Sequence, residues 1–263
     1  MTPDDLHTMI AELLVPDRGD DYCLNGVQLA GRPIQRAAFA VTATSDTISA
    51  ALAAGADAVV VHHGVNWSGS QPAILPDSPI WLATQAELSV LAYHLPLDRD
   101  PVIGNSVGLL AAIGLAEPVE IPATGGLGFG ARYAEPIAGD DWLDRLDQLT
   151  SEPVFVAGPM PDHVSSVATV TGAGARYAEP SFANGYDVFL TGELPLSTAT
   201  YADRVRRPVV AIGHTTSELY GIEALRAAVA ERSEIDTVLI PSTDSGLMRP
   251  HRPSIYRDSE PAG

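Results

Sequence analysis

The sequence predicts an α/β protein of two related α/β halves, with mixed, largely parallel sheets that face each other across a cleft. Short runs of small and β-branched apolar residues, typical of fully buried strands, alternate with helical patterns along the chain. One such run, 58–61, follows Gly55-Ala56-Asp57, and a second, 188–190, follows Gly185-Tyr186-Asp187. Because each run is flanked by further strand and helix patterns, the recurrence predicts an internal repeat.

The first half is predicted over residues 1–122. The spacing of Leu6, Ile10 and Leu13 indicates an N-terminal helix over residues 4–14, and Asn25-Gly26 is a turn signal. Residues 37–63 have the pattern strand, helix, strand, which predicts a parallel pair. After a polar loop over 67–79, the remaining predicted elements are a helix over 79–86, a strand over 88–92 and a helix over 105–113.

The second half is predicted over residues 123–248. Residues 117–130 are rich in glycine and proline, which indicates a linker or a crossing between the halves. An amphipathic helix follows over 140–149. Strands are predicted over 154–157, 164–170, 188–190, 209–212 and 237–240. Residues 249–263 are rich in proline and charge and predict a mobile tail.

Composition excludes several functional classes. The 263-residue chain has a formal charge of −18, and its 15 basic residues are all arginine. The lack of lysine excludes a Schiff base and a P-loop lysine, and the acidic balance argues against nucleic-acid binding. No run reaches the ~20 apolar residues of a membrane span, and the acidic N-terminus lacks the features of a signal peptide. The single cysteine, Cys23, cannot form an internal disulfide, so a cytoplasmic protein is expected.

The buried run 58–61 ends on two adjacent histidines, His62 and His63, followed by Gly64. Ligands of open α/β sheets collect beyond the carboxyl ends of the strands, where two neutral imidazoles can bind a transition metal. Adjacent strand residues point to opposite faces, so both rings reach one site only if the strand ends there, and Gly64 permits such a turn. The alternative is one surface histidine and one histidine satisfied within the core.

Further candidate ligands follow other predicted strands: His94 with Asp98, Glu193, and His214 with Glu218. Four residues separate His214 from Glu218, so on a helix they lie on one face about one turn apart. The alternative is that His214 ends a strand and Glu218 stabilises a helix N-terminus. With a single cysteine, any metal must be held by histidine, aspartate and glutamate, which suit zinc, iron, manganese or magnesium-type ions.

Taken together, these stretches resemble the Nif three-like dinuclear metal-centre proteins, often labelled GTP cyclohydrolase 1 type 2. The motifs that carry the resemblance are His62-His63-Gly64, Tyr93-His94-Leu95-Pro96-Leu97-Asp98, Thr191-Gly192-Glu193, Gly213-His214 through Glu218, Asn25-Gly26-Val27-Gln28-Leu29 and Asn105. The resemblance covers residues 4–245 and fits the short members of the family, which lack a long inserted domain.

The resemblance implies two divalent metal ions, of iron, zinc or manganese, in the cleft between the halves. His63 and Asp98 would bind one ion, His62 and His214 would bind the other, and Glu218 would bridge the two. A bridging carboxylate offsets the repulsion between neighbouring cations, and this ligand set leaves positions open for water.

Four other residues have two interpretations each. His94 either holds Asp98 or a substrate, or packs in the core. Glu193 either orients a water or acts as general base, or caps a helix. Trp67 either lines the mouth of the cleft or packs in the core. Arg99 either meets an anionic substrate or forms a surface ion pair, whereas Cys23 is expected to be buried or inert.

The activity that the resemblance implies is metal-dependent hydrolysis, either ring opening of GTP or cleavage of a phosphoester or amide, with both ions stabilising the developing charge. The alternative is a non-catalytic metal-binding assembly or adaptor protein. Similar proteins form toroidal hexamers, so the resemblance implies a homohexamer. The expected substrate is a small molecule, such as a nucleotide, and no membrane partner is expected. In a chain without lysine, only metals, arginines and helix N-termini could receive a triphosphate.

Overall fold

A computed structural model describes residues 1–67 and 74–241. Within them the helices are α1 (Pro3–Leu13), α2 (Ser45–Ala53), α3 (Pro79–Gln85), α4 (Leu95–Asp98), α5 (Asn105–Ala112), α6 (Gly139–Leu149), α7 (Ala178–Ala183), α8 (Leu196–Val205) and α9 (His214–Arg232). The strands are β1 (Gly26–Leu29), β2 (Arg36–Thr42), β3 (Ala58–His63), β4 (Ser89–Ala92), β5 (Val119–Glu120), β6 (Phe129–Ala138), β7 (Phe155–Ala157), β8 (His163–Thr169), β9 (Val188–Thr191), β10 (Val209–Ala211) and β11 (Asp236–Leu239). The predicted tail over 249–263, and most of the predicted loop after Trp67, lie outside the described residues.

The first sheet has the strand order β1-β4-β3-β2-β11, and β3 lies at its centre between two parallel neighbours. Its side chains alternate between two cores. Val60 packs with residues of α1 and α9, and Val59 and Val61 pack on the opposite face with residues of α2 and α3. Because both faces are covered by helices, the strand carries an unbroken apolar run.

The second sheet, with the order β5-β6-β8-β9-β10-β7, repeats the centre of the first. β8, β9 and β10 are parallel, and β7 adds an antiparallel edge to β10 as β1 does to β4. The turns before β3 and β9 also match. Gly55 and Gly185 have φ values of 73° and 79°, and Oδ2 of Asp57 and of Asp187 each accept backbone N–H bonds from the neighbouring strand. The predicted fold of two related, largely parallel halves is confirmed.

The structure differs from the prediction at the boundaries of the halves. The strand predicted over 237–240 falls within the predicted second half, but as β11 it pairs with β2 and belongs to the first sheet. The predicted linker over 117–130 instead contains β5 and the start of β6. One of its glycines allows close packing: a Cβ on Gly130 would collide with the ring of Tyr186. Pro136 lies in the register shift between β6 and β8, where the ladder does not need its missing N–H.

Helices α5 and α9 connect the halves at the level of the candidate ligands. Gly108 lies where a Cβ would press on the Cβ of Tyr220, and Gly221 lies where a Cβ would collide with the amide of Asn105. Glycine at both positions allows the two helices to approach closely, which brings the ends of the two sheets together. None of the described helices combines the length and apolar composition that a membrane span requires.

Candidate metal centre

His62 and His63 lie at the carboxyl end of β3, with their ring centroids 4.5 Å apart. Nδ1 of the fully buried His62 lies 3.0 Å from the carbonyl oxygen of Tyr93, and Nδ1 of His63 lies 3.0 Å from Oγ1 of Thr42. A carbonyl oxygen only accepts, so the neutral His62 ring carries its proton on Nδ1. Its Nε2 lone pair is therefore available to a cation.

The turn after the histidines is held by Gln28. Its Oε1 accepts hydrogen bonds from the backbone N–H of Val65 at 2.7 Å and of Asn66 at 3.0 Å. A Cβ on Gly64 would collide with the Gln28 amide, so only glycine allows this approach. The segment around Asn25-Gly26 thus supports the histidine turn, a contact across nearly forty residues of sequence.

Asp98 ends α4, the single helical turn that follows β4. Its Oδ1 accepts a hydrogen bond from Nδ2 of Asn105 at 2.8 Å and lies 3.6 Å from Nε2 of His62. Asn105 is fully buried at the start of α5, which fixes its amide. Burial raises the pKa of Asp98, while the charge of His62 opposes this effect.

The second half contributes His214 and Glu218 from the first two turns of α9. Gly213, with a φ of 97°, lets the chain turn from β10 directly into the helix. Nε2 of His214 lies 3.2 Å from Oε2 of Glu218, so the two side chains share one face as predicted. The same oxygen lies 3.3 Å from Nε2 of His63, and the other oxygen, Oε1, lies 3.6 Å from Nε2 of His62.

Glu218 is therefore common to two groups of possible ligands, His62 with Asp98 and His63 with His214. The nearest neighbours in the described geometry thus pair differently from the partition that the resemblance implies, His63 with Asp98 and His62 with His214, which stays a prediction. The reason is the strand periodicity: His62 points into the core toward α5, and His63, at the strand end, points toward the second half, with its ring 5.1 Å from that of His214.

The chemistry of these donors fits a cation. Oε2 of Glu218 is buried and accepts no hydrogen bond of good geometry from the described residues, although the two imidazole nitrogens lie close to it. A buried carboxylate is costly unless positive charge compensates it, and the two groups that face Oε2 here, the imidazoles of His63 and His214, are themselves metal-binding side chains. Three imidazoles and two carboxylates, converging from both halves, are ligands that suit divalent zinc, iron or manganese.

The electrostatics of the ligand cluster, by which we mean His62, His63, Asp98, His214 and Glu218, also favour a bound cation. Burial opposes charge on His62, but Asp98 and Glu218 outweigh it and raise the pKa of His62 to about 9. Burial likewise opposes charge on His214, and Glu218 outweighs it and raises the pKa of His214 to about 10. Burial lowers the pKa of His63 to about 3. Although burial opposes its ionisation, the neighbouring imidazoles hold the pKa of Glu218 well below its usual range. The carboxylates thus attract positive charge on both sides of Glu218.

The glycine-rich turn after β8 packs on this carboxylate. Gly172 has a φ of 58°, and a Cβ at this position would collide with Oε1 of Glu218 and lie 3.1 Å from Nε2 of His214. Its backbone N–H donates to Oγ of Ser217 at 2.9 Å. Because Gly172 has no side chain, the backbone of this turn packs directly against Glu218 and His214.

Glu193 and His94 lie beside the cluster, each in a carboxylate–histidine pair. Oε1 of Glu193 lies 2.6 Å from Nδ1 of His214, so it orients that ring. Nδ1 of His94 lies 2.8 Å from Oδ1 of Asp21, and the His94 ring lies 4.9 Å from that of His62. Sequence reasoning missed Asp21, because one aspartate in an acidic run carries no local signal of a partner more than seventy residues away.

The open interpretations of three other residues are resolved. Arg99 is mostly buried and forms a bidentate ion pair with Asp20, at 2.7 Å for both contacts, so it does not face the cluster. Cys23 is buried as predicted, and burial raises its pKa to about 11. Trp67 lines the cleft and also packs on the first half.

A cavity of about 720 Å³ opens onto the cluster between the two halves. His63, Asp98, His214 and Glu218 form its floor, and Glu193 and His94 also line it. This volume is in the range of small-molecule sites.

The sequence profile of the Duf34/NIF3 (NGG1p interacting factor 3) family matches residues 1–245. The chain belongs to this family. A GTP cyclohydrolase 1 type 2 homolog of Pseudomonas aeruginosa (strain PAO1) is 35% identical to this NIF3-family chain over 229 residues, which cover 85% of this chain and 90% of the relative.

Solved structures agree with the family assignment. Protein ybgI, described as of unknown function, has a TM-score of 0.83 at 29% identity, over 92% of this chain and 100% of that one. TTHA1606 from Thermus thermophilus has a TM-score of 0.80 at 28% identity, over 92% and 98% of the two chains. The resemblance that the sequence motifs indicate is thereby confirmed.

Proposed function

We propose that this NIF3-family chain binds two divalent metal ions and is a metal-dependent hydrolase. The observation that carries the proposal is the position of Glu218, whose two carboxylate oxygens face two different groups of donors. His62 and Asp98 would hold one ion, His63 and His214 the other, and Glu218 would bridge them. Two divalent ions in such a site supply Lewis acidity and activate water for attack on a polarised substrate.

The protein's own residues prepare the site for this chemistry. Tyr93 and Thr42 fix the rings of His62 and His63 through their Nδ1 atoms. Asn105 holds the Asp98 carboxylate from a fully buried position. Such outer contacts orient metal ligands and raise their affinity.

Glu193 and His94 are the candidate residues for proton handling and substrate positioning. The Glu193 side chain is 48% exposed, so it can meet a substrate or its water while Oε1 orients His214. Asp21 holds Nδ1 of His94, which leaves Nε2 as the nitrogen that can face the cavity. Glu193 is the proposed general base, and His94 is proposed to position the substrate.

The names of curated relatives indicate one candidate substrate for this site. Curated relatives carry the name GTP cyclohydrolase 1 type 2 homolog, so ring opening of GTP by water is one activity to test. Cleavage of a phosphoester or an amide uses the same chemistry. A homohexameric ring that binds metal without turnover remains the alternative prediction.

Turnover assays on a metal-loaded preparation test the proposal. The protein, its Asp98→Asn variant and a chelated sample would be incubated with GTP, with a set of phosphoesters and with a set of amides. The proposal expects hydrolysis that disappears in the chelated sample and falls at least about 100-fold in Asp98→Asn. A two-metal protein that turns over none of these would favour the non-catalytic alternative.

A further inference from the structure

Two aromatic side chains of the first half form one wall of the cavity beside the metal cluster. Tyr22 and Trp67 stack with their ring centroids 5.5 Å apart and their planes 29° from parallel. The indole is held in place by a 3.0 Å hydrogen bond from Nε1 to the carbonyl of Gly64. Tyr22 is 58% exposed, so part of its ring is accessible to a ligand. These rings offer a surface on which a planar ligand can stack.

The second half contributes a guanidinium to the same cavity. Arg176 lies in a single 3₁₀ turn, Gly174–Tyr177, that follows the glycine-rich turn over the cluster. Its guanidinium stacks on the ring of Tyr177 at 4.7 Å and donates to the Tyr177 hydroxyl at 2.9 Å. The stacking pre-orients the planar donor fork for an anion. Among the described residues that line the cavity, Arg176 is the sole arginine.

The charges that line the cavity limit how much negative charge a ligand can bring. Asp98, Glu193 and Glu218 provide three carboxylates against the one guanidinium. With two divalent ions bound and neutral histidine ligands, the positive charge exceeds the negative by about two units. A phosphomonoester carries about −1.5 to −2 at neutral pH and matches this surplus. A triphosphate exceeds it and finds no second arginine among the described lining residues.

We propose that the cavity takes a planar aromatic or heteroaromatic ligand that carries one phosphomonoester group. The ring lies along Tyr22 and Trp67, and the phosphate is bound by Arg176. This inference deepens the proposed function and rests on it, because the charge balance requires the two metal ions. It makes Arg176 a specificity-determining residue and disfavours nucleoside triphosphates.

Binding of 1-naphthylmethylphosphonate tests the inference. The C–P bond of this probe withstands hydrolysis, so calorimetry measures its affinity apart from turnover. Cyclohexylmethylphosphonate lacks the aromatic ring and 1-naphthylmethanol lacks the anion. We expect the aromatic phosphonate to bind at least about tenfold more tightly than either, since both stacking and a charged hydrogen bond contribute. Arg176→Gln should weaken its binding about 10- to 100-fold, and Tyr22→Leu about 2- to 10-fold.

Arg204→Gln is the matched control, because Arg204 also stacks on a tyrosine, Tyr201 at 5.8 Å, but does not line the cavity. It should bind the probe as the unaltered protein does. The inference is overturned if Arg176→Gln binds the aromatic phosphonate as tightly as the unaltered protein does. It is also overturned if the cyclohexyl and naphthyl probes bind with equal affinity. Metal content is measured on the same samples. A protein with two ions that does not bind the probe refutes this inference alone, whereas a protein that binds no metal refutes the proposed function first.

Discussion

The carboxylate of Glu193 lies 2.6 Å from Nδ1 of His214, on the side of the ring opposite Glu218. The pair joins two separate strand ends of the second half, after β9 and after β10. Its effect is to aim Nε2 of His214 at Glu218. A histidine ligand supported in this way by a carboxylate binds metal more tightly than an unsupported one.

Removal of this support should weaken metal binding without unfolding the protein. Glu193→Ala is expected to lower the affinity for at least one ion about 10- to 100-fold, measured by competition with a chelator of known affinity. Glu231→Ala, which removes an exposed carboxylate on α9 far along the helix, is the control. If both variants hold metal as the unaltered protein does, Glu193 does not position His214.

The turn over the cluster should tolerate only glycine at position 172. In Gly172→Ala the new methyl group would meet the Glu218 carboxylate, in addition to the strain of a left-handed backbone. We expect loss of metal content together with a fall in the free energy of unfolding.

Gly19→Ala separates the two effects, because Gly19 has a φ of 72° but no heavy atom within 4 Å of its would-be Cβ. This control should lose only about 1–2 kcal/mol of stability, the backbone cost alone, and should keep its metal. Equal metal content in the two variants would show that contact between residue 172 and Glu218 is unimportant.

Gln28 should stabilise the histidine turn. In Gln28→Leu the N–H groups of Val65 and Asn66 lose their acceptor, and each loss costs about 1–3 kcal/mol. A urea titration should therefore show a decrease of about 2–4 kcal/mol in the free energy of unfolding, with weakened metal binding. Gln85→Leu, at an exposed position of α3, makes the same chemical change without these bonds and should unfold close to the unaltered protein. Unchanged stability of Gln28→Leu would contradict the role of this amide.

Asp57 should make β3, and with it the position of the histidines, sensitive to acid. Although burial opposes its ionisation, the N–H groups of Gln35 and Arg36 and the side chain of Arg32 lower the pKa of Asp57 below 3.8. The ionised carboxylate therefore stabilises the fold above its usual pKa, and this contribution is lost as the pH falls through the lower folded value.

Urea titrations of Asp57→Asn at several pH values test this sign. The variant should be less stable than the unaltered protein by about 1–3 kcal/mol at neutral pH, and the difference should shrink below pH of about 4. Asp144→Asn, an exposed change on α6, should show no such difference. A difference that grows in acid would have the wrong sign.

The parts of the site that are local in sequence could be predicted. The run 58–61 is apolar because both faces of β3 are covered, so its burial and the strand end at His62-His63 follow from the pattern alone. His214 and Glu218 share a helix face because of their spacing. The two-sheet fold could be predicted because the turn Gly55-Ala56-Asp57 recurs as Gly185-Tyr186-Asp187. In the structure both aspartates accept hydrogen bonds from the backbone of a neighbouring strand.

Contacts between distant segments could not be predicted. The pairing of Asp21 with His94, and of Asp20 with Arg99, depends on where a loop crosses the sheet edge, which no local pattern records. The partition of the ligands depends on the direction of each ring relative to α5 and α9. Strand β6 was not predicted because the glycines of residues 117–130 indicate a linker. In the structure Gly130 lies within the strand and leaves space for the ring of Tyr186.

The central claim is that Glu218 is a ligand common to two metal-ion sites, and the metal content of the protein tests this claim directly. Protein purified without added metal or affinity tag would be analysed for transition metals beside Glu218→Gln, which keeps the shape of the side chain but not its charge. The account predicts about two ions per chain in the unaltered protein and well below two in the variant, with both folded. Two ions held with normal affinity by Glu218→Gln, or no metal in either protein after reconstitution, would contradict it.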